Sequence, residues 1–166
     1  LSSTGGYAGY TPPVTLPADA CICYANYYDN YQFLEGCADR TLLAWDGSVP
    51  NISTHMQFPY GHKTGLYTGQ GYEAYYYDSL GREIQRSATG FETGCTSRGY
   101  TYSGEIAWER HSFPASYNLP DRITTNEYDA GGRLLSTVIS IGNNSARFEH
   151  EYDAIGRIER TACGKV

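Results

Sequence analysis

The sequence predicts an all-β domain: an antiparallel sheet built from repeated β-hairpins. Three observations carry that expectation. Seventeen Tyr and 19 Gly among 166 residues, against a single Met, favour pleated strands joined by tight turns over helices. A short motif, Tyr-Asp-x-x-Gly-Arg, returns along the second half of the chain. Strand arms alternate with period two, most clearly in Arg147-Phe148-Glu149-His150-Glu151-Tyr152, where even positions are aromatic and odd ones charged.

Length and charge narrow the class. The chain is about one domain long and can bury a core unaided. Twelve Lys+Arg against eighteen Asp+Glu give a net charge of −6, which argues against nucleic acid and against a polybasic membrane patch. Charged residues make up only 18% of the chain, too few for a disordered acidic tail. No apolar run reaches the roughly 18 residues of a membrane-crossing helix, so no transmembrane segment is expected. The opening Leu1-Ser2-Ser3-Thr4-Gly5-Gly6 has neither a basic start nor an apolar stretch, and reads as the start of a piece of something longer.

Taken in order, the first dozen residues, with Gly5, Gly6, Gly9, Pro12 and Pro13, read as an irregular entry strap. Residues 21–35 are tyrosine-rich and strand-like. Residues 36–70 are broken by Gly36, Gly47, Pro50, Pro59, Gly61 and Gly65 into short pieces. The chain thus divides into an irregular β-rich segment over 1–70 and repeat hairpins over 71–166.

Four segments align in the second part: Tyr77-Asp78-Ser79-Leu80-Gly81-Arg82, Tyr102-Ser103-Gly104, Tyr128-Asp129-Ala130-Gly131-Gly132-Arg133 and Tyr152-Asp153-Ala154-Ile155-Gly156-Arg157. The tyrosines are 25, 26 and 24 residues apart, a period that two strands and two turns fill. Asp opens the turn and accepts a backbone N–H two residues on. Gly, three residues after it, supplies the positive φ that closes a type I turn with a bulge. Tyr and Arg flank the turn on facing strands. The second copy reads as a two-residue Ser103-Gly104 connection that has lost Asp and Arg. Leu135, Thr137, Ile139 and Ile141 share a face ahead of the Gly142-Asn143-Asn144 turn, and that face is expected to be the dry one.

These residues resemble the RHS/YD repeat of bacterial RHS proteins and their teneurin relatives, over residues 71–161. Tyr27-Tyr28-Asp29-Asn30-Tyr31 is similar as a lone copy. The resemblance implies a strip of hairpins forming part of a toxin-enclosing β-shell wall or a spacer, in a secreted or cell-surface bacterial protein. Its partners would be the rest of a longer RHS-like chain and, in an alternative role, glycans or surface proteins. The family's self-cleaving segment is not recognisable before Val166, so no protease activity is carried over.

Candidate chemistry is sparse. His55, His62, His111 and His150 match no metal or catalytic spacing, and His150 on its aromatic face is expected to be satisfied by a neighbour. A Cys95–His111 pairing could meet only through the fold. Cys21, Cys23, Cys37, Cys95 and Cys163 are an odd set, read as small buried residues or one or two disulfides and not as a zinc site. No cofactor, metal or enzymatic activity is expected. The Asp78/Arg82, Asp129/Arg133 and Asp153/Arg157 pairs are expected to staple their own hairpins, with Arg covering tyrosine rings. Trp45, Tyr75, Tyr76 and Trp108 are the candidates for stacking on a sugar. A short strip leaves two bare sheet edges, which invite self-association.

Overall fold

The computed structural model describes residues 21–165, so the entry strap expected over the first dozen residues lies outside it. The described residues are all-β, with ten strands and one short helix, α1 (Arg40–Leu43). The chain divides into two compact units between Cys95 and Thr96. The first holds β1 (Ala25–Tyr28), β2 (Lys63–Tyr67), β3 (Tyr72–Tyr77) and β4 (Glu83–Ala88). The second holds β6 (Ile106–Ser112), β7 (Arg122–Tyr128), β8 (Leu134–Ile141), β9 (Asn144–Tyr152) and β10 (Ile158–Lys165), and β5 (Gly94–Tyr100) runs through the division. Within each unit strands adjacent in sequence are adjacent in the sheet, and the pairing is antiparallel.

In the first unit the sheet is roofed by residues 30–60. Phe33 stacks on Tyr27 at 4.5 Å between ring centroids, directly over Gly65. A Cβ at Gly65 would sit 2.3 Å from the Phe33 ring, so this strand position admits only glycine beneath that roof. Leu43 of α1 is wholly buried, and Phe33, Leu34 and Val49 are buried beside it in the roof. Polar bonds hold the roof down. Gln85, 1% exposed, donates its amide to the Ala44 carbonyl at 2.8 Å and accepts from the Asp46 N–H at 3.1 Å. Tyr76 donates to the Leu43 carbonyl at 2.8 Å, and Tyr31 to that of Tyr75 at 3.0 Å. On the opposite face Tyr75 and Tyr77 cluster with Leu66 and Met56, with Lys63 lying over the Tyr75 ring and the Arg86–Glu73 pair beside it.

The second unit is a single layer. Cross-strand register puts Glu127, Ser136, Arg147 and Glu149 on one face, joined by Arg147–Glu127 at 3.1 Å, Arg147–Glu149 at 2.9 Å and Ser136–Glu127 at 2.7 Å. Thr137, Phe148 and Cys163 align on the other, beside Ile139 and Ala146. The period-two reading of these arms therefore separates a charged face from an apolar one. The expectation that the apolar face is dry needs correcting. Leu135 is 41% and Ile141 47% exposed, because no roofing segment is inserted among these strands.

Candidate functional site

The repeat turns are the most regular side-chain arrangement in the molecule. In each of three, the Asp N–H donates to the Arg carbonyl and the Gly N–H to the Asp carbonyl: Asp78/Arg82, Asp129/Arg133 and Asp153/Arg157. One carboxylate oxygen accepts turn N–H groups, from Leu80 and Arg82, Gly131 and Arg133, or Ile155 and Arg157. The other oxygen takes the guanidinium at 2.6–2.7 Å. The backbone and guanidinium of Arg133 hold the Asp129 carboxyl below the usual range, and those of Arg157 do the same for Asp153. Gly81, Gly132 and Gly156 all have φ near +80°, as the turn requires.

The fourth copy has a different register from the sequence alignment. Thr101, not Tyr102, opens the turn: its N–H donates to the Glu105 carbonyl, and the Gly104 N–H to the Thr101 carbonyl. The Thr101 hydroxyl accepts from Gly104 and Glu105 N–H, the second being the bond that each Asp carboxylate takes from the Arg N–H elsewhere. Glu105 stands where Arg stands elsewhere, and its carboxylate accepts from Thr101 and Ser103, which lower its pKa. The anchor strand position falls on Tyr100, and Tyr102 projects from the loop, fully exposed. The loop keeps its full length. The two-residue Ser103-Gly104 reading fails because a Thr hydroxyl can do what the missing Asp was needed for.

A fifth copy is split. The Asp29 N–H donates to the His62 carbonyl at 3.2 Å, matching Asp to Arg elsewhere, and the Asp29 carboxylate accepts from the Gly61 N–H at 2.6 Å. The strand register shifts at Tyr28, which pairs Lys63, just as it shifts at Tyr128, which pairs Leu134. Tyr28-Asp29 and Gly61-His62 are therefore the two halves of one turn, and the roof, residues 30–60, is the loop between them. The Tyr-Asp dipeptide was the available signal. The spacing that makes the motif recognisable was not.

The anchor tyrosines do one thing in common. Tyr77 donates to the Lys63 carbonyl at 2.6 Å, Tyr128 to that of Ile106 at 3.0 Å and Tyr152 to that of Leu134 at 2.8 Å. Each phenol thus reaches back to the preceding hairpin and bonds the residue two after that hairpin's turn glycine (Gly61, Gly104, Gly132). The residue between packs on the same ring in two cases: His62 lies 4.7 Å from Tyr77 and Arg133 5.2 Å over Tyr152. Arg133 therefore covers the next hairpin's tyrosine. Burial, and then Glu83, pushes the Tyr77 phenol up to about 12; burial also raises Tyr128.

The other candidates disperse. Tyr75 and Tyr76 are 8% and 2% exposed, so neither presents a free face to a sugar. Trp45 is half-buried against His55 and Tyr76, and Trp108 is half-buried in β6. The exposed aromatics are elsewhere, notably Phe58 and Tyr60, stacked at 6.4 Å. His111 bonds Thr96 at 2.9 Å, while the Cys95 thiol approaches Ser87 and Asp46. His150 is satisfied by Thr161 at 3.0 Å. None of the five cysteines forms a disulfide, and burial pushes the Cys37 thiol up to about 11, away from nucleophilic use. Among the described residues no cluster of three metal-binding side chains occurs, and no helix is long and apolar enough to cross a membrane. On the second unit's apolar face, Ile139, Ile141, Ala146, Phe148 and Cys163 line an open concavity of about 560 Å³. No protein-family model and no curated protein matches the chain.

Proposed function

We propose that the chain is a structural repeat segment of a secreted or cell-surface bacterial RHS-like protein, forming part of a β-shell wall or a spacer. The observation that carries this reading is the tyrosine relay: three motif phenols each bond the carbonyl of the hairpin before them. Asp and Arg complete their own turns and Arg133 packs on the next tyrosine, so the motif's side chains are occupied in joining hairpin to hairpin. A sheet with one charged and one apolar face suits a wall with a wet and a dry side. The test is the size of the native polypeptide, by immunoblot of source cells and medium. A product far above 18.4 kDa is expected. One close to that mass would overturn the wall reading.

A second reading, a glycan- or surface-binding module, is favoured by Phe58 and Tyr60, whose rings lie within 20° of coplanar and are 63% and 78% exposed. It predicts that Tyr60→Ala abolishes retention on a glycan array without lowering Tm. Equal retention by wild type and variant would remove it.

A further inference from the structure

At the end of the first unit away from the Asp78 turn, two loops meet: residues 68–71 between β2 and β3, and 89–93 between β4 and β5. They pack main chain to main chain. A Cβ at Gly71 would sit 2.1 Å from the Thr89 carbonyl oxygen, and one at Gly90 2.6 Å from that of Gln70. Hydrogen bonds fix both loops: the Thr68 N–H donates to the Gly71 carbonyl at 3.1 Å, the Thr89 N–H to that of Tyr72 at 2.8 Å, and the Thr93 hydroxyl to that of Gly90 at 2.8 Å. From this braced backbone Phe91 projects, 96% exposed. One exposed ring needs no explanation by itself. This one borders a cleft of about 390 Å³, whose lining includes Thr68, Gln70, Glu73 and Thr89.

The polar groups of the cleft are mostly spent as donors and open as acceptors. The Thr68 hydroxyl gives its proton to the Gly71 carbonyl and that of Thr89 to the Tyr72 carbonyl, each at 3.4 Å. Thr89 also accepts from the Tyr72 N–H at 3.0 Å, which still leaves it a lone pair. The Glu73 carboxylate takes two bonds from Arg86 and one from Tyr75, which fills three of its roughly four acceptor positions. Gln70, exposed at the rim, both donates and accepts. A matching ligand therefore brings hydroxyl protons on one side and a flat apolar surface for Phe91 on the other. An anion would meet the carboxylate. A cation gains little, because Arg86 already balances Glu73 at 2.8 Å. A purely apolar group would bury acceptors without satisfying them.

We infer that this cleft is a binding site for an uncharged sugar ring, its C–H face on Phe91 and its hydroxyls donating to Thr68, Thr89 and Glu73. The ligand class is that of the second reading above, reached here from other residues, and the two stand or fall separately.

The experiment is titration calorimetry of the full chain with saturation-transfer NMR. Cellotetraose, laminaritetraose and mannotetraose serve as neutral probes, a hyaluronan tetrasaccharide as the anionic one and spermidine as the cationic one. At least one neutral probe is expected to bind, with transfer strongest on ring C–H protons, and to bind more tightly than either charged probe. Phe91→Ala is expected to weaken that binding about tenfold, at an unchanged Tm because the ring is exposed. Gln70→Ala should weaken it about three- to tenfold, and Tyr60→Ala should leave it as in wild type. Failure of all three neutral probes would overturn the inference, as would equal or tighter binding of a charged one. Binding lost in Tyr60→Ala but kept in Phe91→Ala would overturn this site and leave the second reading standing.

Discussion

The two units are built from the same hairpin motif but reach stability differently. Among the described residues every buried apolar residue lies in the first unit, from Tyr27 to Ala88, whereas the buried residues of the second are Ser97 and Ser136. The turns are alike in the two units, and so is the tyrosine relay. The difference is the loop of residues 30–60, which expands the first turn and brings Phe33, Leu34, Leu43 and Val49 down on one sheet face. The motif, then, joins hairpins; the core comes from an insertion within one copy of it. A strip made of motif alone rests on its ladder hydrogen bonds and cross-strand pairs, and keeps an apolar face without cover.

The comparison breaks most sharply at the roof. Phe33→Ala should cost the first unit about 3–5 kcal/mol, the usual range for emptying an aromatic site in a packed core. Gly65→Ala should damage the same contact from below, since its Cβ would meet the ring at 2.3 Å. Phe148→Ala on the uncovered face should cost no more than about 1 kcal/mol, because little cavity forms where little is enclosed. Denaturant titrations read by hydrogen exchange in each unit would separate the three. Equal losses in the two units would mean that the second has a core of its own.

Alkaline pH should also distinguish them. Burial pushes Tyr72 and Tyr77 up to about 12, so the folded first unit favours the protonated phenols. The stability they add is complete below the unfolded value near 10 and is lost as pH rises through 12. Tyrosinate absorbance and circular dichroism recorded together should show the first unit unfolding in that window. Ionisation of Tyr72 and Tyr77 themselves near pH 10 without loss of structure would show that these phenols are open to water.

Smaller effects probe what the units share. Gly132→Val should cost about 1–3 kcal/mol, because a β-branched residue resists φ of +79° and its Cβ would meet the Glu105 carboxylate at 2.9 Å. Tyr128→Phe removes only the bond to Ile106 and should cost about 1 kcal/mol. Both read as a lowered denaturation midpoint of the second unit. A Tyr128→Phe variant with an unchanged midpoint would mean that the relay contributes nothing there.

Much of this was legible in the sequence where local chemistry decides the outcome. Asp129 and Gly132 specify their turn within four residues, and His150 finds Thr161 on the neighbouring strand as its face predicts. Tertiary choices were not legible. Tyr28-Asp29 and Gly61-His62 form one turn across 31 intervening residues (30–60), which erases the spacing by which the motif is recognised. Thr101 replaces Asp by function and not by type, which moved the fourth copy by two positions. Tyr75 and Tyr76 point to opposite faces, yet both are buried: one lies beneath the roof, the other beside Lys63 and the Glu73–Arg86 pair. Alternation alone would have left one of them free.

The most direct test replaces residues 30–60 with the two-residue Ala-Gly connection of the Asp129 turn and follows hydrogen exchange across the whole chain. Kept dilute, so that chains do not pair, β2–β4 should retain its hairpins but lose protection until it exchanges as fast as β7–β10. Wild-type protection in the trimmed chain would contradict the claim that the insertion supplies the core. Complete loss of protection would contradict the claim that the motif alone joins the hairpins.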